Sequence, residues 1–537
     1  MPIAPRPLLT ADNRLLSLIT IAFLVGCVAV LGWSPFAYWP LSLGAYVVLA
    51  ELLRRASRPL DGLFIGFAFG FGLHIIGSSW VYEALHREAG QSGAFAAAAT
   101  IAFCSYLAIF TALPSAILTW VGASRGIQDV ENFRNSGAWR LTQVALFAAL
   151  MTLGEWGRSQ LFNGFTSLSL GCALIDTPLR GYAPVFGVYG VSTVGFLMAA
   201  LVVFAVSGLA SRPRQTALGI LAGSGLTAVG MFFSLVDWTH PFGEPLTYRL
   251  IQANVIQTRK FDPAFVPNEI NAYEKAITQA PADLIATPET ALPVFLNQIP
   301  PGVMQRLKAF SRTTNSHVLI GVATMDAAAR GFNSAIDVAP GRDFIQRIDK
   351  IDLMPFGEYT PWGFNWFTKT LAIPLKDLSA GAEGQRPFDV NGQKVGVMIC
   401  QEDLLGRAAL RWMPSATLLL DITNLAWFDG TLAIGQSIQI ARMRALEVGR
   451  PILRVANTGV TAAIDARGNV LKALPIGTRA VLSGKVQPVD NLTPFDRWGE
   501  LPLVAALIVI SAVLATRHAI FRWMQSRHNV RQCRHEI

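Results

Sequence analysis

The stretch KVGVMICQEDLLGR, residues 394–407, decides the fold of the second half of the chain. Its apolar run at 394–399 predicts a buried β-strand, and the polar residues that follow predict a turn into a helix. Cys400 stands at this junction, where strained exposure and the positive end of a helix favour a reactive thiolate. Free cysteine is more commonly a small buried hydrophobe, so position alone leaves the role of Cys400 open.

Further β-rich runs and helical patterns surround this strand. The strands are predicted at 248–255, 283–287, 317–323, 416–422, 451–456 and 480–486, and the helices at 267–280, 301–315 and 434–449. Alternation of the two patterns is typical of a layered α/β domain with extensive β-sheet. We therefore predict such a domain at residues 238–499.

The rest of the chain has a membrane composition. The 537 residues are 52% hydrophobic and 15% charged, whereas ordinary soluble proteins carry about 25% charged residues. A bilayer-spanning helix needs about 20 mostly apolar residues. Eight stretches approach this length: 15–33, 36–53, 62–82, 93–121, 141–158, 188–210, 216–236 and 500–520. We expect a membrane domain of about seven helices at 1–237 and a last transmembrane helix with a basic tail at 500–537. The first stretch lacks a convincing cleavage site and is interpreted as a retained anchor.

The net charge of +9 is carried by short arginine clusters beside these stretches and in the tail. Such clusters mark the cytoplasmic side of a membrane protein, so we expect no nucleic-acid partner. The clusters at 6–14, 54–58, 125–140, 212–214 and 517–534 all fall on one side when the spans alternate. Seven spans then place residues 238–499 on the outer face.

Two charged residues could serve Cys400. Glu289 follows a predicted strand beside Pro288, and desolvation there would raise its pKa toward that of a general base. The ammonium of Lys350 would lower the thiol pKa and stabilise an oxyanion. Taken singly, each is also explained as a cap or a solvated surface charge. The five cysteines are too few and too scattered for a disulfide framework.

Short motifs along nearly the whole chain resemble those of apolipoprotein N-acyltransferases, which belong to the nitrilase (carbon-nitrogen hydrolase) superfamily with its Glu-Lys-Cys triad. In the second half the motifs are TPETALP at 287–293, Lys350 with PFGEY at 355–359, ICQE at 399–402 and ARMRALE at 441–447. In the first half they are GEW at 154–156, GYAP at 181–184 and GVYGVS at 187–192.

The resemblance implies a multi-span α-helical membrane domain joined to a nitrilase-like α-β-β-α sandwich. It assigns Cys400 as nucleophile, Glu289 as proton acceptor and Lys350 as oxyanion partner. Glu358 and Glu402 match positions that support the triad, although loop ion pairs would explain them too. The acyl donor would be a membrane phospholipid, and the acceptor the amino group of a diacylated apolipoprotein. We expect no metal or diffusible cofactor, and a monomer in the bacterial inner membrane with its catalytic domain in the periplasm.

Several positions depart from the family pattern. Phe261 replaces a tryptophan, Leu425 an aspartate and Ser437 a histidine, and Thr166 with Ser167 replaces Pro-Trp. They fall in segments expected to shape the substrate pocket, so they bear on recognition rather than on the chemistry. Trp427 is a candidate for the acyl-chain entry, with a place in the core as the alternative.

Three other functions remain open. A membrane-anchored amidase or nitrile hydrolase would use the same triad with water as acceptor, but eight spans suit a lipid donor better. A catalytically idle scaffold is disfavoured by the joint presence of Glu289, Lys350 and Cys400. A paralogue that acylates another amine lies between these.

Overall fold

The computed structural model describes residues 11–122, 137–209, 212–364 and 377–535. Each of the eight apolar stretches contains a long helix. These are Ala11–Ala29, Trp39–Arg55, Pro59–Gly77, Gly93–Gly122, Gly137–Gln160, Ala183–Val206, Pro213–Leu235 and Leu501–His535.

By length and composition, five helical ranges in the described part of the chain could cross a membrane. They are Asn13–Gly32, Pro59–Gly77, Gly93–Gly122, Pro178–Val206 and Pro213–Leu235. The apolar part of the last helix, Leu501–Arg517, is shorter. The other three spans stay predictions, and the predicted orientation does too. Among its arginines, Arg6, Arg125 and Arg134 lie outside the described residues.

The N-terminal helices pack around an aromatic core and expose apolar side chains outward. The ring of Tyr46 lies 4.8 Å from that of Phe196 and 5.0 Å from that of Phe69, centroid to centroid. Leu221 is 71% exposed and Phe232 is 63% exposed. An apolar outer surface around an apolar core is what a bilayer requires of a helical bundle.

Two β-sheets form the second half of the chain. The strands of the first sheet are β2 (Leu246–Gln252), β3 (Leu284–Ala286), β4 (Leu292–Phe295), β5 (His317–Met325), β6 (Gly331–Val338), β7 (Gln346–Asp349) and β14 (Ala480–Val486). The strands of the second sheet are β8 (Phe388–Val390), β9 (Gln393–Ile399), β10 (Leu418–Thr423), β11 (Ile452–Ala456), β12 (Ala462–Ile464) and β13 (Val470–Ala473). The strand order is β14-β2-β3-β5-β6-β7 in the first sheet, with β4 also paired to β5, and β13-β12-β11-β10-β9-β8 in the second. A two-residue ribbon pairs β1 (His240–Pro241) with β15 (Val489–Asp490).

The sheets face each other, and helices cover their outer sides. Apolar residues of both sheets, such as Leu250 and Leu420, share one core. Helices Val266–Thr278 and Pro301–Thr314 pack on the first sheet, whereas helix Leu432–Val448 packs on the second. This is the predicted α-β-β-α sandwich, joined to the predicted helical domain. All seven predicted strands are present, but eight others in the described residues were missed, because seven of them are short and β6 interrupts its apolar residues with buried polar ones.

Helix Leu432–Val448 belongs to both halves of the molecule. Its residues Ala441 and Ala445 lie in the core of the sandwich, whereas Ile440, Met443 and Leu446 lie in the core of the N-terminal helices. The carboxylate of Glu447 also accepts a hydrogen bond of 2.6 Å from the main-chain nitrogen of Val188. The second sheet is therefore fixed against the membrane-capable helices.

Candidate active site

Cys400 begins a tight turn at the carboxyl end of β9. The turn Cys400–Leu404 is a 3-10 helix, and the φ angle of Cys400 is +59°. Positive φ is uncommon for a residue other than glycine, and such strain is held only where the surroundings fix it. The side chain is partly buried, so the turn presents the thiol at the edge of the sheet.

Glu289 follows β3 and is held at both carboxylate oxygens. The side-chain amide of Asn333 donates to Oε1 at 2.7 Å, and the main-chain nitrogen of Asn424 donates to Oε2 at 3.0 Å. The side chain is 6% exposed. Gly321 on β5 makes room for this segment, because a Cβ there would lie 2.8 Å from the Cα of Glu289. The position of Glu289 is therefore set by residues from both sheets.

Lys350 follows β7 and is 1% exposed. Its Nζ lies 2.7 Å from Oε2 of Glu358 and 3.9 Å from Oε1 of Glu289. Burial would lower the pKa of Lys350, but Glu358, Cys400 and Glu289 together raise it above its ordinary value. The lysine is therefore a permanent cation between two carboxylates.

Asn333 joins the two carboxylates that flank this lysine. Its amide nitrogen donates to Glu358 Oε1 at 2.7 Å as well as to Glu289. The main-chain oxygen of Asn333 accepts a hydrogen bond of 2.8 Å from the main-chain nitrogen of Lys350. Asn333 on β6 thus fixes the geometry among Glu289, Lys350 and Glu358.

Glu402 ties the Cys400 turn to the segment that follows Lys350. Its Oε1 accepts from the main-chain nitrogens of Ile351 and Asp352, at 3.0 and 3.1 Å, and its Oε2 accepts from that of Ile399 at 2.9 Å. Burial raises the pKa of Glu402. This carboxylate lies where the resemblance placed a supporting residue.

The pKa of the Cys400 thiol is raised, first by burial and then by the Glu289 carboxylate, while Lys350 acts in the opposite direction. Lys350 thus acts on the thiol in the expected direction, but desolvation outweighs the lysine charge. Glu289 is the carboxylate with the largest effect on the pKa of this thiol. Cys400 consequently needs a base before it can attack, and Glu289 is in place for that role.

A buried ion cluster lies behind the Cys400 turn. Arg454 on β11 donates to Asp403 in the turn at 2.6 Å and also to Asp421 on β10. Arg454 is fully buried, and both carboxylates are at most 3% exposed. Burial and the neighbouring Asp403 raise the pKa of Asp421 to about 8, against the opposing effect of Arg454. The cluster links the turn to two central strands.

The sequence departures lie at the contact between the two halves and around the site. Thr166 donates to the main-chain oxygen of Leu404, the last residue of the Cys400 turn, and Ser167 donates to Gln436 at 3.1 Å. Leu425 is buried, and Ser437 is 9% exposed and donates to Ile434 of its own helix. None of them displaces Glu289, Lys350 or Cys400.

Trp427 lies in the turn that follows β10, three residues after Asn424, and is half-buried. The next residue, Phe428, stacks edge-on against Trp80 at 4.8 Å between centroids. Trp80 lines a largely apolar cavity of about 660 Å³, together with Ile101 and Leu432. The described residues that line this cavity do not include Trp427, so its predicted role as a lining residue is untested.

Sequence reasoning missed three polar residues of the site. Lys260, in the short helix Gln257–Lys260, donates through Nζ to the main-chain oxygen of Glu289 at 3.1 Å. Asn333 and Asn424 bind the Glu289 carboxylate. A single amide within a strand carries no local signal, whereas Lys260 directly precedes a noted departure, Phe261. Among the residues that the structure describes, no group of His, Cys, Asp and Glu could hold a metal ion.

The sandwich places the chain in the carbon-nitrogen hydrolase superfamily, and the model of that family matches residues 249–490. The model of the apolipoprotein N-acyltransferase N-terminal domain matches residues 25–201. An apolipoprotein N-acyltransferase of Ralstonia nicotianae is 40% identical over 502 residues, or 93% of each chain. That of Nitrosomonas europaea is 37% identical over 91% of this chain and 94% of the relative. The chain therefore belongs to the apolipoprotein N-acyltransferase family.

One solved structure similar to this chain is a carbon-nitrogen hydrolase from Helicobacter pylori G27. It is 14% identical, with a TM-score of 0.35, and the match covers 48% of this chain and 95% of that one.

Proposed function

We propose that this protein transfers an acyl chain from a membrane phospholipid to the N-terminal amino group of a diacylated apolipoprotein, through a thioester on Cys400. One observation carries the proposal. Glu289, Lys350 and Cys400 converge in a sandwich that is packed directly on membrane-capable helices. The names of the relatives supply the acceptor class.

In the first half-reaction, Glu289 accepts the proton of the Cys400 thiol as the sulfur attacks the ester carbonyl of the phospholipid. Lys350 opposes the negative charge that develops on the carbonyl oxygen. The tetrahedral intermediate then collapses to the thioester. The leaving alkoxide takes the proton back from Glu289 and departs as a lysophospholipid.

In the second half-reaction, the amino group of the diacylglyceryl-cysteine attacks the thioester carbonyl. Glu289 accepts a proton from the attacking nitrogen, and Lys350 again opposes the oxyanion. Collapse forms the amide and expels the Cys400 thiolate, which regains the proton from Glu289. Glu358 and Glu402 serve as supports, since the first holds Lys350 and the second holds the turn of Cys400.

The acyl chain would enter from the bilayer beside Trp427. The cavity of about 660 Å³ supports this route, because it lies between membrane-capable helices and the residues that follow Trp427. Its lining is mostly apolar, which suits a hydrocarbon chain. A small amide substrate would need no such opening.

We also propose the predicted organisation for this chain. Residues 1–237 form the membrane domain, residues 238–499 form the catalytic domain in the periplasm, and residues 500–537 form the last span and a cytoplasmic tail. The two membrane parts anchor the protein in the bacterial inner membrane. One chain contributes Glu289, Lys350 and Cys400 by itself, which supports a monomer.

The decisive experiment is incubation of the purified full-length protein with phospholipid, followed by mass spectrometry of the peptide that contains Cys400. We expect a hydroxylamine-sensitive acyl adduct that discharges onto a diacylated lipopeptide and is absent in Cys400→Ala. No adduct in the wild type would refute the acyltransferase. An adduct that discharges only to water would establish the hydrolase alternative instead.

Orientation has a separate test. An alkaline phosphatase or fluorescent reporter fused after Ile537 should behave as cytoplasmic, and one inserted in the exposed turn near Gly341 as periplasmic. A periplasmic signal from the reporter at Ile537 would contradict the topology while leaving the chemistry untouched.

A further inference from the structure

The site contains a second buried lysine, at the end of the short helix Gln257–Lys260 that follows β2 in the chain. Lys260 is 3% exposed, and its Nζ donates to the main-chain oxygen of Glu289 at 3.1 Å. Lys350, by contrast, acts on the carboxylate of the same glutamate. Glu289 is therefore held by one lysine at its backbone and approached by another at its side chain.

Lys260 differs from Lys350 in having no carboxylate within 4 Å among the residues that the structure describes. Gln257, three residues before Lys260 in the same short helix, accepts a hydrogen bond of 3.1 Å from the side-chain amide of Asn424. The titratable groups that act on Lys260 are Glu289, which follows β3, and Cys400, which follows β9. Its charge is thus directed at the pair that exchanges the proton.

We propose that Lys260 is a positioning residue that fixes the backbone of Glu289 and whose positive charge favours ionisation of Cys400. This inference rests on the proposed function for its consequence in acyl transfer, but not for its effect on the thiol. Loss of the ammonium would leave the Glu289 carbonyl without this donor and would remove a cation from a desolvated site.

The ionisation of Lys260 itself adds a pH signature. Burial lowers the pKa of Lys260 to about 8, while Glu289 and Cys400 act to raise it. The side chain is therefore mostly protonated at neutral pH and loses its charge as the pH rises above about 8. Lys350 has a raised pKa and keeps its charge over that range.

Alkylation of Cys400 by iodoacetamide, followed on its own peptide by mass spectrometry from neutral to alkaline pH, tests the inference in the full-length protein without a lipid donor. In Lys260→Met, alkylation at neutral pH should slow about tenfold, and the difference from the wild type should disappear well above pH 8, where Lys260 of the wild type has lost its own charge. In Lys260→Arg, which cannot deprotonate, alkylation should match the wild type at neutral pH and exceed it above about pH 8. Phospholipid acylation of Lys260→Met should fall about 10- to 100-fold.

The matched control is Lys308→Met. Lys308 also donates to a main-chain oxygen at 3.1 Å, that of Asp343, but at the exposed surface. Its removal should leave the alkylation rate unchanged across the pH range.

A wild-type rate at neutral pH in Lys260→Met would overturn the inference, and so would an equal slowing of both Lys260 variants at every pH, since that indicates packing alone. If Lys260→Met does not fold, Lys260→Arg decides the question, because a rate no faster than that of the wild type above about pH 8 would overturn the inference. A wild-type protein that alkylates normally but forms no acyl adduct would refute the proposed function and not the role of Lys260.

Discussion

The amide nitrogen of Asn333 lies 2.7 Å from Oε1 of Glu289, and the same nitrogen lies 2.7 Å from Oε1 of Glu358. A single neutral donor thus bridges the buried carboxylate of Glu289 and the half-buried carboxylate of Glu358, which would otherwise repel each other. Its main-chain oxygen also binds Lys350, so one residue sets three of the charged groups of the site.

Replacement of Asn333 by alanine should lower Cys400 acylation by about 10- to 100-fold, because misplacement of a reacting group by a fraction of an ångström is costly. The measurement is the rate of acyl-adduct formation. Asn391→Ala is the control, since Asn391 makes the same kind of bond to Asp283, at 2.8 Å, on the surface. Equal rates for both variants would contradict the role assigned to Asn333.

The Glu289→Gln variant should separate thiol ionisation from proton transfer. Because the Glu289 carboxylate raises the pKa of Cys400, its neutralisation should lower that pKa and speed alkylation by iodoacetamide at neutral pH. Acylation by phospholipid should nevertheless fall roughly 10²- to 10⁴-fold, because the general base is lost. Slower alkylation together with normal acylation would show that Glu289 is not the base.

Gly321→Ala should displace the backbone of Pro288 and Glu289, against which Gly321 packs. A Cβ at Gly321 would lie 2.2 Å from the main-chain oxygen of Pro288 and 2.8 Å from Cα of Glu289. We expect a loss of about 1–3 kcal/mol of stability from overpacking, together with slower acylation. Thermal unfolding and adduct formation measure the two effects. Gly225→Ala, where a Cβ meets nothing within 4 Å, should change neither.

Arg454→Met should destabilise the protein by about 3–5 kcal/mol, because it leaves the buried carboxylates of Asp403 and Asp421 without their partner. A drop in the midpoint of thermal or denaturant unfolding would report this loss. The surface pair of Arg306 with Glu274 offers the comparison, and Arg306→Met should leave the midpoint unchanged. An unchanged unfolding midpoint in Arg454→Met would mean that the ion cluster makes no net contribution to the stability of the protein.

Periodicity and length predicted the layers of the fold, because β9, β10 and β11 are mostly apolar and the long helices are apolar over most of their length. Strand β6 escaped because its sequence, GFNSAIDV, places polar residues inside. Ser334 and Asp337 there are buried and bound by Thr324, Asp349 and His317. The hydrogen-bonding groups of these buried side chains are satisfied by residues on neighbouring strands. Such pairing leaves no pattern along the sequence of β6 itself.

Glu289, Lys350 and Cys400 could be selected from the sequence because each lies in a short motif that resembles one of the family, and the motifs follow each other in the family's order. The sign of the Cys400 pKa shift could not, since it depends on how much water the fold removes from the sulfur. Lys260 and Asn333 were likewise out of reach. Their importance comes from a distance of about 3 Å to a residue far away in the chain.

Helix Leu432–Val448, with one face in each core, has a consequence for how the protein can be divided. A fragment that holds only the sandwich would leave Ile440, Met443 and Leu446 bare in water, beside a Glu447 deprived of its Val188 partner. The two halves are therefore not interchangeable modules. Gene truncation, domain exchange or secretion of the sandwich alone should yield an aggregating polypeptide rather than a freely diffusing enzyme.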